Sequence, residues 1–205
     1  MIYFLLYAMA SENYNRLYNH FLNYTALSES DFIKCIPFFR EVQFPKNEII
    51  IKAGRISTEQ FFVISGCLRT YMYNISSNRE HTLQFAAENW WASDYTSYYT
   101  GTPAIMNVEC IEESTLFAIS RSDENLLYKE VPVLEHYLRI KLENAFVAFQ
   151  RRILAVLNQT AEERYKQFLT QFPDIEQRVR NYQIASYLGI TPESLSRIRK
   201  QRMLK

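Results

Sequence analysis

The sequence predicts an α+β protein in which an N-terminal antiparallel barrel or sandwich is followed by a long helix and a compact helical C-terminus. Three observations carry this prediction. Short runs rich in β-branched and aromatic residues, separated by turn residues, fill residues 37–120. Strand signals vanish after Arg121 and an uninterrupted helical pattern replaces them. The charge also divides: residues 1–150 carry a net −5 (12 Lys/Arg, 17 Asp/Glu) and residues 151–205 a net +6 (11 Lys/Arg, 5 Asp/Glu).

In chain order, residues 11–35 are expected to be partly helical, with Tyr14, Leu17, Phe21 and Leu22 at helical spacing. The predicted strands are Glu48–Lys52, Gln60–Ile64, Cys67–Tyr73, Thr82–Phe85, Val108–Ile111 and Thr115–Ile119. Their turns are Lys46-Asn47, Ala53-Gly54, Ser65-Gly66, Ser76-Ser77-Asn78 and Thr102-Pro103. Many short strands at this spacing indicate an antiparallel barrel or sandwich. Ser122–Glu130 reads as a short helix. Pro132 suits the first turn of a second helix, running to about Leu157.

Along that second helix Leu134, Leu138, Leu142, Ala145, Phe149, Ile153 and Val156 follow at steps of 4, 4, 3, 4, 4 and 3. This is close to a heptad seam for a parallel partner helix. The alternative is a helix packed on its own domain, for which a length of about 39 Å is generous. Next, Thr160-Ala161-Glu162-Glu163 reads as a capping box that starts a helix with Tyr165, Phe168, Leu169 and Phe172 on its apolar face.

Residues 181–200 form the most specific stretch. Ile184, Ala185 and Leu188 line the inner face of one short helix, and Gly189 permits a left-handed turn. Thr191 and Pro192 then start a second helix, and Leu195 and Ile198 point inward. Glu193, Ser194 and Arg197 are left on the outer face near its N-terminus, the surface with which a recognition helix meets base edges. A generic helical hairpin would not require Arg197, Arg199, Lys200 and Arg202 to crowd this helix and its tail.

The chain resembles the cyclic-AMP receptor protein and fumarate-nitrate regulator (Crp/Fnr) superfamily of bacterial transcription factors. The resemblance rests on Phe44–Gly54, Phe61–Arg69, Ala161–Arg164 and above all Ala185–Ile198. It implies a β-roll sensor domain over 1–131, similar to cupins and cyclic-nucleotide-binding domains, a dimerisation helix over 132–158, and a winged helix-turn-helix over 159–205. It further implies that Glu193, Ser194 and Arg197 read bases. Arg180, Asn181, Thr191, Ser196, Arg199, Lys200 and Arg202 would hold phosphates. The expected partners are double-stranded DNA, a second copy of the chain through residues 132–157, and RNA polymerase. Pro192 stands where several relatives place a base-reading polar side chain.

The sensor half departs from the pattern. Relatives that bind cyclic nucleotide carry Gly-Glu, about ten residues, then an Arg that neutralises the phosphate. In Ala92–Met106, Asp94 stands for the Glu and Ala104 for the Arg, so cyclic AMP is not expected to bind. Phe85, Trp90, Trp91, Asp94, Tyr95, Tyr98 and Tyr99 either line a pocket for an unknown small-molecule effector or fill the core.

No cofactor or metal is expected. Cys35, Cys67 and Cys110 are scattered and show no zinc spacing with His20, His81 or His136, which fits buried thiols in the cytoplasm. His81, the one candidate haem ligand, reads as a surface residue of a turn. The apolar run Ile2–Ala10 is too short to span a bilayer and lacks the marks of a signal peptide. No enzyme motif is present. The competing reading is a small-molecule-binding β-roll with a vestigial DNA-binding domain.

Overall fold

The computed structural model describes residues 11–76 and 78–203. The expectations for Ile2–Ala10 and for Ser77 lie outside these residues. Among the described residues two helices come first, α1 (Glu12–Leu22) and α2 (Glu29–Cys35). Tyr14, Leu17 and Phe21 form the buried face of α1. Ser28 caps α2 by accepting from the Asp31 amide at 3.1 Å.

The strands are β1 (Arg40–Phe44), β2 (Ile49–Ile51), β3 (Glu59–Ser65), β4 (Leu68–Asn74), β5 (Arg79–Ala86), β6 (Trp91–Ala92), β7 (Asn107–Cys110) and β8 (Ser114–Ser120). They form two four-stranded sheets, ordered β1-β8-β3-β6 and β2-β7-β4-β5, with every pairing antiparallel. A helix α3 (Tyr95–Thr100) leads out of β6. Gly66, between β3 and β4, has φ 107°, and a Cβ there would lie 2.8 Å from the Ser114 Cα, so the turn needs glycine twice over. Sequence reading missed β1, whose Arg40, Glu41 and Gln43 hide its alternation, and β6, which is two residues long. His81 lies in β5 opposite Met72, not in a turn: the β4 register extends the hairpin beyond the apolar run that marked it.

Helix α4 (Arg121–Glu130) leads to α5 (Val133–Asn158), a continuous rod of 26 residues. Leu134 and Tyr137 pack into the roll with Phe21 and Trp91. Every residue from Leu142 to Arg151 is exposed. The first turns of the seam are therefore covered by the chain's own roll, while Leu142, Phe149, Ile153 and Val156 remain bare.

The C-terminal module comprises α6 (Ala161–Gln171), α7 (Ile175–Arg178), α8 (Asn181–Leu188) and α9 (Pro192–Met203). Thr160 and Glu163 form the expected capping box. Among the described residues of this module there is no strand, so the expected wing is not found there. Pro173-Asp174 opens a short helix instead, and α9 stays helical through Met203. The module docks on the roll: Phe168, Phe172 and Ile184 share one core with Cys67, Phe85 and Ile111. All three cysteines are free and buried, and burial raises Cys35 and Cys67 to about 12 and Cys110 to about 11.

Candidate DNA interface and sensor site

Helix α8 ends at Gly189 in the left-handed region, φ 68°. The Ile190 amide donates back to the Ala185 carbonyl at 3.0 Å. Thr191 then caps α9 by accepting from the Ser194 amide at 3.3 Å. Ala185 and Leu195 are fully buried where the two helices cross, and Ile198 is nearly so. At about 100° per residue, Glu193, Arg197 and Lys200 form one stripe, with Ser196 beside it. All four are exposed. Ser194 lies about a quarter turn away. It is half-buried, and its Oγ accepts from the Thr191 hydroxyl. Glu193 is held below the usual carboxylate range by its own backbone amide and the Thr191 hydroxyl. Its further interaction with Arg79 brings the start of β5 near the N-terminus of α9.

The expected phosphate residues divide. Arg180, Thr191, Ser196, Lys200 and Arg202 are exposed. Arg199 turns inward: its Nε donates to the Tyr165 hydroxyl at 3.0 Å, and a terminal nitrogen pairs with Glu176 at 2.9 Å. Its other terminal nitrogen donates to the Asn181 Oδ1, so two of the expected phosphate residues are bonded to each other. Arg202 lies 5.5 Å from the Tyr165 ring centre.

In the sensor half Asp94 is completely buried. One carboxylate oxygen accepts from the Ser97 amide at 2.9 Å. The other accepts from the Ile105 and Met106 amides at 2.8 and 2.9 Å. These two amides directly follow Ala104, itself buried, at the position of the cassette arginine. The loop's own carboxylate thus occupies both of these amides.

The aromatic residues of this segment do not converge on one pocket. Trp91 packs on Phe62 in the core, and Tyr95 stacks on Tyr99 at 6.0 Å. Tyr98 donates to Glu124 at 3.1 Å. Phe85 and Trp90 face the C-terminal module, against Phe168 and Phe172. The cavity beside Trp91 holds about 10 Å³, too little for an organic ligand.

A polar chain missed by sequence reading ties α5 to the roll. The Lys141 ammonium donates to the Gln60 Oε1 at 2.8 Å, and the Gln60 Nε2 donates to Glu124 at 2.5 Å. Glu124 also accepts from Tyr128 and from Arg121. Lys141 lies 4.1 Å from the Trp91 ring centre. Burial lowers its pKa to about 7, against the opposing pull of Glu124. Gln60, Glu124 and Lys141 are far apart in sequence, so no local pattern announces them.

A β-roll, one long helix and a helix-turn-helix with an exposed polar stripe define a class of two-domain architecture. Residues 41–130 match the cyclic nucleotide-binding domain family. Among solved structures, the c-di-GMP-responsive global regulator CLP of Xanthomonas campestris matches with TM-score 0.70 and 13% identity, over 86% of this chain and 92% of that one. FixK2 of Bradyrhizobium japonicum matches with TM-score 0.66 and 21% identity, over 80% and 83%. The Thermus thermophilus catabolite activator protein matches with TM-score 0.55 and 18% identity, over 86% and 84%. No curated protein sequence matches the chain. The chain as a whole shares its fold with these three structures.

Proposed function

We propose that this chain is a dimeric, sequence-specific DNA-binding transcription regulator whose sensor domain does not take cyclic AMP. The observation that carries the reading is the exposed stripe Glu193, Arg197, Lys200 on a helix that follows a left-handed turn, within the basic part of the chain. Arg197 matches guanine O6 and N7, and Glu193 suits a cytosine amino group. Lys200, with Arg180, Thr191 and Ser196, meets phosphates. Arg199 and Asn181 hold the base of α9, and reaching phosphate would require them to exchange partners. The rest of the division is a sensor over 1–131, a dimer helix over 132–158 and a DNA module over 159–205. The work is cytoplasmic, with RNA polymerase downstream. Among the described residues no helix is long and apolar enough to cross a membrane.

The bare apolar side chains of α5 support the dimer. Leu142, Phe146, Phe149, Ile153, Val156 and Leu157 stand between 44% and 71% exposed, a stripe that a second copy of the same helix would cover. In such a dimer the recognition helices enter successive major grooves about 34 Å apart, so the operator is roughly palindromic. Electrophoretic mobility shift with genomic fragments at two salt concentrations tests the reading. Binding that weakens as salt rises is expected, and no binding at low salt would overturn it.

A further inference from the structure

A cleft of about 440 Å³ opens between α1 and the β5–β6 turn, away from the cassette loop. Its size lies within the usual range for a small-molecule site, about 300–1,000 Å³. Asn19 comes from α1, Asn23 from the C-cap that follows it and Asn89 from the turn. None of the three carboxamides has a side-chain hydrogen bond within the described residues. Two aromatic faces border them, Tyr24 at 37% exposed and Trp90 at 39%. The turn is firmly set. Asn89 adopts φ 68°, and its amide donates to the Val63 carbonyl at 2.9 Å.

The charged groups of the cleft are already spent. Arg16 donates to Glu12 at 2.8 Å and to the Ile64 carbonyl at 3.2 Å. Glu88 takes two bonds from Arg178 at 2.9 Å and one from the Gly66 amide at 3.0 Å. His20 is hydrogen-bonded to the Tyr137 hydroxyl at 2.9 Å and kept neutral by burial. An ionic ligand would have to compete with these partners for its countercharge. What remains is an array of amide donors and acceptors beside two rings, which suits hydroxyl groups on one edge of a ligand and C–H groups on its face.

We propose that this cleft binds a small uncharged polyhydroxylated molecule of monosaccharide size, and that it is an effector site separate from the cyclic nucleotide cassette. The same turn reaches the C-terminal module: Glu88 grips Arg178, and the Trp90 ring lies 5.7 Å from Phe172. A ligand seated on Asn89 and Trp90 therefore bears on the position of the recognition helix. That consequence rests on the DNA-binding function proposed above, whereas the binding itself does not.

The test is calorimetric titration of the full chain with glucose, galactose, ribose and inositol, beside glucose 6-phosphate and gluconate. At least one neutral compound should bind with Kd below about 1 mM, and its charged counterpart at least about tenfold more weakly. Asn19→Ala combined with Asn89→Gly should weaken that binding by about tenfold or more, the glycine preserving the left-handed turn. Thermal melting of the unliganded variant checks that it is folded. The proposal is overturned if no neutral compound binds, if the anions bind more tightly, or if the folded double variant binds as wild type does. Arg178→Ala, at ligand concentrations that saturate it, should lose any ligand-dependent change in DNA affinity. Ligand binding without DNA binding would sink the regulator reading alone.

Discussion

The loop of residues 92–106 and helix α9 are both rich in polar groups, but they treat them in opposite ways. The loop turns its one charge inward: the Asp94 carboxylate consumes the amides of Ser97, Ile105 and Met106. Helix α9 turns its polar groups outward, with Glu193, Arg197 and Lys200 exposed beside a buried apolar face. A site is open or closed according to whether its hydrogen-bonding capacity is already spent, and residue type alone does not decide that. Arg199 makes the point within α9 itself, since its guanidinium is taken by Tyr165, Glu176 and Asn181.

The largest expected effect breaks the outward-facing half at its support. Leu142→Glu with Phe149→Glu should place charges in the dimer seam without disturbing the monomer, where both side chains are exposed. Operator affinity should fall by about a hundredfold or more as bivalency is lost. A variant still dimeric by sedimentation at micromolar concentration would place the interface elsewhere. Next comes Arg197→Ala, expected to cost about 1–3 kcal/mol per half-site and to relax preference at one base pair. Selection of bound sites from a random library reads this directly, and unchanged base preferences would refute the phasing of α9.

Two experiments sharpen the contrast with the loop. Wild type should show no calorimetric binding of cyclic AMP at micromolar levels. Ala104→Arg alone should not restore it, because Asp94 still holds the amides. Adding Asp94→Gly frees them, and only the double variant should gain affinity; a gain from Ala104→Arg alone would show that Asp94 is no plug. Smaller again is Lys200→Ala, which should weaken binding to all sequences alike and reduce the slope of log affinity against log salt by about one.

The smallest effect is one of pH. An unfolded lysine titrates near 10.5, and burial brings Lys141 to about 7. Between these values the unfolded chain binds more protons than the folded one. Stability therefore rises with pH across that window, and the burial penalty is complete below it. Urea unfolding of Lys141→Met should lack this contribution. A difference curve that is flat from pH 7 to 10 would mean that the ammonium is not enclosed.

The helix-turn-helix was legible in the sequence because its determinants are local. A small residue, a glycine, a cap and four apolar positions all fall within 15 residues in one consistent register. The roll was legible as strands but not as pairings, and β1 escaped because three of its five side chains are polar and face outward. The seam of α5 was read as one interface, yet its first turns lie against Phe21 and Trp91, contacts set by tertiary packing. The self-plugging of Asp94 needs a loop closed over 12 residues, and the Lys141 chain needs contact across 81. Neither distance leaves a trace in local periodicity.

Strand β5 lies at the rim of its sheet, and what covers it comes from the far end of the chain. The Thr82 amide is satisfied by Ser186 at 2.9 Å, and Arg152 takes the carbonyls of Thr82 and Leu83. During synthesis about a hundred residues must follow β5 off the ribosome before Ser186 arrives, which is several seconds at ordinary elongation rates. For that interval the nascent roll carries a bare strand rim open to pairing with a neighbouring chain. A message truncated after α5 would keep Arg152 but leave the Thr82 amide bare permanently. Isolated sensor fragments of this protein are therefore expected to aggregate where the full chain does not, and their solubility should depend on a helix that other chains could supply.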